Sequence, residues 1–104
     1  MRVHTKELRS HPRYALQGSV AISWQDGHGR FRTSQSKGID ICVSGLQIEA
    51  TDPIDLHTNV MVRSERLQLS ASTAVRYCRQ HGPRYRIGLE FTGGLHWRPP
   101  GDKP

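Results

Sequence analysis

Two groups of side chains in this sequence have the chemistry to hold a ligand. Arg9 and Arg13 lie four residues apart near the N-terminus, and residues 40–45 read Asp-Ile-Cys-Val-Ser-Gly. An arginine guanidinium is a planar fork of donors that matches a phosphate or the edge of a guanine, and its flat face stacks on a base. The second group combines a carboxylate with small polar side chains beside a glycine. Together the two groups predict a binding site for an anionic ligand.

The charge balance also indicates a negatively charged partner. The formal net charge is +6 at pH 7, and only three of the 15 cationic side chains are lysines (Lys6, Lys37 and Lys103). A basic chain can bind nucleic acid, a phosphate-bearing small molecule or a membrane surface, and its surface can also be basic without a particular target. A merely solvating surface would use lysine as readily as arginine, so the arginine bias favours specific recognition.

No pattern for catalysis or for a metal site accompanies these residues. The 104-residue chain has room for one domain, and it lacks both a Gly-rich phosphate loop and paired catalytic carboxylates. Cys42 and Ser44 have no histidine beside them in the sequence, although a fold could supply one. The six histidines are scattered, without the close ligand pairs that a structural zinc site needs. We therefore expect a binding domain that is not an enzyme and that uses no metal or cofactor.

The elements that must position these residues are predicted to be short antiparallel strands. From residue 14 onwards, apolar residues such as Val20 and Ile22 alternate with polar ones, which is typical of strands with one buried face. Tight turns separate these segments, and no convincing helix is present. We expect an all-β fold, a six-stranded antiparallel β-barrel over residues 14–92. Residues 1–13 are predicted to be a flexible basic arm carrying the arginine pair, and residues 93–104 an irregular tail.

The sequence also bears on where the protein acts. The N-terminal residues contain no apolar run that could serve as a signal peptide, and no segment is long enough to span a bilayer. We therefore expect a cytoplasmic domain that does not insert into a membrane. In that compartment Cys42 and Cys78 should stay reduced.

Three segments, taken in order, resemble the PilZ domain family, bacterial receptors for cyclic di-GMP. The family pattern RxxxR is present as Arg9 and Arg13, and (D/N)xSxxG corresponds to residues 40–45. The closing strand of the family resembles residues 85–91, Tyr-Arg-Ile-Gly-Leu-Glu-Phe. The resemblance covers most of the chain. It implies a receptor in which cyclic di-GMP orders the arm over the barrel, and in which the changed surface signals to a downstream protein partner.

The resemblance also implies a role for each motif residue. Arg9 and Arg13 would clamp the guanine bases and phosphates of the ligand. Asp40 would accept hydrogen bonds from a guanine edge, and Gly45 would allow the backbone of the turn to come close. Guanine suits these roles, because its O6 and N7 accept from an arginine fork while its N1 and N2 are donors. Cys42 replaces the serine of the motif and would face the ligand with a thiol, which is a weaker donor than a hydroxyl.

The residue before the arginine pair carries an expectation about stoichiometry. In the family, an additional arginine at that place is associated with binding of a stacked ligand dimer. Leu8 occupies it in this chain. The resemblance therefore implies one ligand per domain.

Other interpretations of the same residues stay open. A family member with Cys42 could be ligand-silent and act only as a protein-interaction module. A nucleic-acid-binding barrel would suit the charge, but Trp24, Tyr85 and Phe91 fall on predicted core faces and not on a stacking platform, which disfavours it. Asp40 could cap a turn, Cys42 could pack as a small buried residue, and the arm arginines could be solvated.

Overall fold

The computed structural model describes residues 12–97, which form seven β-strands joined by turns and loops and contain no helix. The strands are β1 (Tyr14–Ala15), β2 (Ser19–Gln25), β3 (Phe31–Cys42), β4 (Gly45–Ala50), β5 (Asn59–Ser64), β6 (Leu69–His81) and β7 (Arg84–Trp97). The described part of the chain accordingly offers no helix with the length and apolar character needed to cross a membrane. The prediction of an all-β fold is confirmed.

The strands close into a barrel. The order around it is β3, β2, β5, β6, β7 and β4, and every neighbouring pair is antiparallel. The pairing of β4 with β3 closes the barrel. Strand β1 is an additional two-residue strand that pairs with β3 at Asp40 and Ile41. The predicted six-stranded antiparallel barrel is therefore confirmed, with β1 added to it. Residues 1–11, most of the predicted flexible arm, lie outside the described residues.

Alternation along the strands fills the interior of the barrel. Strand β2 buries Val20, Ile22 and Trp24, and β5 buries Val60 and Val62. Burying an aliphatic or aromatic side chain fully contributes roughly 1.5–3 kcal/mol relative to leaving it exposed. The other buried apolar residues are Leu16, Ile41, Leu46, Ile48, Ala50, Ile54, Leu69, Ala71, Val75, Ile87 and Leu89. The core thus receives side chains from every strand of the closed barrel, and this fixes the outer faces on which a site can lie.

The last strand is longer than the sequence predicts. The irregular tail predicted from residue 93 is wrong for residues 93–97, because β7 continues to Trp97 and pairs with the beginning of β6. Gly94 permits the register irregularity there, since its φ of 63° is easily adopted only by glycine. Trp97 packs edge to face on Tyr14 of β1, with ring centroids 5.3 Å apart. This contact holds the end of β7 against β1, whereas residues 98–104 lie outside the described residues.

The hairpin between β3 and β4 positions the second sequence motif. Strand β3 ends at Cys42 and β4 begins at Gly45, so the predicted turn is confirmed. The backbone N–H of Phe91 in β7 donates to the carbonyl oxygen of Ser44 at 2.9 Å. The turn is therefore anchored where β3, β4 and β7 meet, and β1 runs beside it.

Candidate functional site

A pocket of about 80 Å³ lies beside the β3–β4 turn. Four of the five residues that the sequence predicts for the site line it, namely Arg13, Asp40, Cys42 and Gly45. The fifth, Arg9, lies outside the described residues. The remaining lining residues are Ser44, Leu46, Gln47, Arg76, Tyr77, Gly88 and Leu89. The pocket therefore combines the motif with side chains from β4, β6 and β7.

Arg13 and Asp40, 27 residues apart in the chain, meet at the rim of this pocket. Strand β1 pairs with β3 so that Ala15 lies opposite Asp40, which brings the preceding arm residue Arg13 over the carboxylate. The Nη1 of Arg13 lies 3.1 Å from Oδ2 of Asp40, and the two side chains are 66% and 27% exposed. Asp40 belongs to strand β3, two residues before the turn, and among the described residues its carboxylate bonds to Arg13. The structure therefore does not use Asp40 as a turn cap.

Cys42 faces the pocket and not the barrel interior. Its Sγ lies 3.3 Å from Oγ of Ser44, and the side chain is half-buried. Burial raises the pKa of the Cys42 thiol, but hydrogen bonds from the Ser44 hydroxyl and from the backbone N–H groups of Ser44 and Gly45, together with the charge of Arg13, lower the pKa by more. The net pKa of the thiol is therefore below its ordinary value.

Gly45 is required by a close approach of two backbones. A Cβ on Gly45 would collide with the carbonyl oxygen of Leu89 and would lie 3.1 Å from Cα of Glu90, both in β7. Because the obstructing atoms are backbone, no side-chain rotation relieves the collision. Glycine is therefore required here by the approach of β7, and the role of Gly45 in the ligand site stays a prediction.

The wall of the pocket opposite β1 is formed by residues that the motif does not include. Period-two alternation predicts that Tyr77 faces inward with Val75, but a register shift between these residues turns Tyr77 to the outer face. Its hydroxyl bonds to the side-chain amide of Gln47, whose Oε1 accepts from Nη1 of Arg86 at 3.4 Å. Arg76 also lies on this wall. It is one of four arginines around the β6–β7 hairpin, and from the sequence these arginines indicate either a solvated surface or an extension of the binding face. No local feature of the sequence predicts this register shift between Val75 and Tyr77.

Comparison with known proteins gives the family. No curated protein matches the chain. A family model described as the PilZ domain matches residues 7–95, which contain both arm arginines, the turn motif and nearly all of the barrel. The predicted resemblance is thereby confirmed, and a PilZ domain is a binding domain and not a catalytic one. The chain belongs to the PilZ domain family.

Proposed function

We propose that this domain is a receptor for cyclic di-GMP and binds it at the pocket beside the β3–β4 turn. PilZ domains are generally receptors for this dinucleotide. The observation that carries the proposal is the meeting of Arg13 with Asp40 at the rim of a pocket that Cys42 and Gly45 also line. The donors and acceptors collected there complement a guanine base and a phosphate.

The Arg13–Asp40 pair is suited to give way to the ligand. An exposed ion pair is worth about 0–1 kcal/mol, so separating the two side chains costs little. Once separated, the Arg13 fork can donate to guanine O6 and N7 or to a phosphate. Asp40 can accept from guanine N1 and N2. Each partner exchanges a weak exposed contact for a charge-assisted contact with the ligand.

The size of the pocket supports a contribution from the arm. Pockets that enclose a small-molecule ligand typically measure roughly 300–1,000 Å³, whereas this one measures about 80 Å³. A cyclic dinucleotide must therefore lie across the rim and needs a second surface to cover it. The segment that carries Arg9 directly precedes Arg13 and can supply that surface. In this proposal binding orders the arm over the barrel, and the newly formed surface signals to a downstream protein partner.

A ligand-silent role in protein interaction is the second candidate function. The observation that favours it is Cys42, which puts a thiol where the family motif has a serine. A nucleic-acid-binding barrel has less support, because Trp24 is buried and Tyr85 and Phe91 are partly buried against the core. Cyclic di-GMP is an intracellular second messenger, so the proposal also places the domain in the cytoplasm.

Calorimetric titration of the full chain with cyclic di-GMP tests the proposal. We expect saturable binding that requires no metal or other cofactor. A parallel titration with single-stranded nucleic acid at two salt concentrations serves as the control for charge alone. Absence of cyclic di-GMP binding would favour the ligand-silent module, whereas steeply salt-dependent binding of nucleic acid alone would favour a nucleic-acid-binding barrel.

The same titration should saturate at one ligand per chain. Leu8 removes the extra cation that is associated in the family with a stacked ligand dimer, and it lies outside the described residues. The small pocket on the barrel supports the same ratio. Saturation at two ligands per chain would contradict this expectation without affecting the family assignment.

The Cys42→Ser variant should bind cyclic di-GMP more tightly. A hydroxyl donates a better hydrogen bond than a thiol, and one net hydrogen bond is worth about 1 kcal/mol, or about fivefold in Kd. The melting temperature should change little, because the side chain faces the pocket.

Cys78→Ser is the matched control, since Cys78 is the other cysteine and packs against the core. Its serine should lower the melting temperature and leave the affinity unchanged. If Cys42→Ser behaved in the same way, Cys42 would be a packing residue and not part of the site.

A further inference from the structure

A β-bulge in β6 turns two consecutive side chains towards the pocket. Val75 pairs with Leu89 and Tyr77 pairs with Gly88, so Arg76 is the extra residue, without a partner of its own in β7. A bulge of this kind redirects the side chains around it. Arg76 and Tyr77 consequently both line the pocket, although neighbouring residues of a regular strand point to opposite faces.

Tyr77 is held firmly in this position. Its ring lies directly on Gly88, where an added Cβ would collide with the ring, and its hydroxyl bonds to Gln47. The guanidinium of Arg79 covers the ring from outside, 5.0 Å from its centroid. The backbone that carries Arg76 is therefore anchored by packing, by a hydrogen bond and by a cation–π contact.

Arg76 carries a charge that no described carboxylate offsets. Arg13, Arg32, Arg63 and Arg86 each lie within 4.0 Å of an aspartate or glutamate oxygen. Arg76 is exposed and forms neither an ion pair nor a side-chain hydrogen bond with any residue of the range 12–97. Among the arginines of residues 12–97, it is the one of this unpaired kind that lines the pocket. An exposed guanidinium on an anchored backbone is ready to receive an anion.

Arg13 and Arg76 line the pocket from different parts of the sheet. From β3, which Arg13 reaches through Asp40, the strands β4 and β7 intervene before β6. Three strand spacings of about 4.8 Å separate the two strands by roughly 14 Å along the sheet. The two arginine side chains therefore reach the same pocket from different strands.

We propose that Arg76 is a further ligand-binding residue, which donates to a phosphate of cyclic di-GMP from the wall opposite Arg13. This inference rests on the proposed function. A cyclic dinucleotide has two phosphates to be neutralised, so a second cation in the pocket has a partner on the ligand. It adds to the motif a cation whose position depends on the bulge.

Titration of the full chain with cyclic di-GMP, using Arg76→Ala and Arg76→Gln, tests the inference. We expect both variants to bind about tenfold more weakly than the wild type, as for loss of one charge-assisted contact at an exposed position. Glutamine keeps much of the length of the side chain and removes its charge. Arg84→Ala is the matched control, because Arg84 is an exposed arginine of the same hairpin outside the pocket. Its affinity should stay within about twofold of the wild type, since surface changes away from a site have small effects.

The outcomes separate the inference from the function on which it rests. If the wild type binds and both Arg76 variants match Arg84→Ala, the assignment of Arg76 is overturned and the receptor function stands. If the wild type does not bind cyclic di-GMP, both are overturned. Thermal unfolding of each variant shows whether a loss of affinity reflects a loss of fold. If the alanine variant is destabilised because it disturbs the bulge, the affinity of Arg76→Gln decides the question.

Discussion

The Gly45→Ala variant is expected to lose about 3 kcal/mol or more of its free energy of unfolding, at the upper end of the cost of overpacking. The added Cβ would collide with the carbonyl oxygen of Leu89 and press on Cα of Glu90. These are backbone atoms, so relief requires β4 and β7 to separate. Such a shift would also weaken the bond from the N–H of Phe91 to the carbonyl of Ser44. Small domains are stable by about 5–15 kcal/mol, so the variant should be far less stable in urea.

Gly27→Ala is the matched control for this substitution. Gly27 lies in the β2–β3 turn, and a Cβ added there would meet no atom within 4 Å. Its free energy of unfolding should stay within about 0.5 kcal/mol of the wild type, as for other surface substitutions. Equal stability of the two variants would show that β4 and β7 can move apart at Gly45 at little cost.

The Arg13→Ala variant is expected to lose most of its affinity for cyclic di-GMP. A charge-assisted contact is worth about 1.5–3 kcal/mol, which corresponds to a Kd raised roughly tenfold to more than a hundredfold. Stability should change little, because the pair that Arg13 forms with Asp40 in the free protein is exposed. Calorimetric titration gives the affinity, and thermal unfolding gives the stability.

Arg63→Ala is the control that matches Arg13→Ala most closely. Arg63 is an exposed arginine paired with a carboxylate, that of Glu65 at 3.5 Å, but it lies on β5 outside the pocket. The Arg63→Ala variant removes the same charge and the same kind of ion pair as Arg13→Ala. Comparable losses of affinity from the two variants would mean that binding is diffuse electrostatic attraction and not recognition at a site.

Some of the fold is determined by local sequence alone. The inward positions of β2, such as Val20 and Ile22, follow from alternation, because successive side chains of a strand point to opposite faces. The turn between Cys42 and Gly45 follows from the break in that alternation beside a glycine. The family follows from the order of the motifs, which is a property of the sequence and needs no coordinates.

The end of β7 shows where local sequence misleads. The glycines near residue 93 indicate irregular structure, because glycine weakens an isolated strand. In the barrel, pairing with β6 and the contact of Trp97 with Tyr14 keep residues 93–97 extended. Those contacts come from distant parts of the chain, so no reading of the local sequence contains them.

The site itself divides in the same way. The sequence indicated, through its resemblance to the PilZ family, which residues of the motif could bind a dinucleotide, and the chemistry of the Arg13 and Asp40 side chains agrees with those roles. Only the tertiary structure decided that these two residues touch, that Gly45 makes room for β7, and that a bulge presents Arg76 to the same pocket. The physical reason is register. A strand's own sequence sets which residues alternate, but its partners set where the alternation slips, and one slip exchanges the faces of every residue that follows.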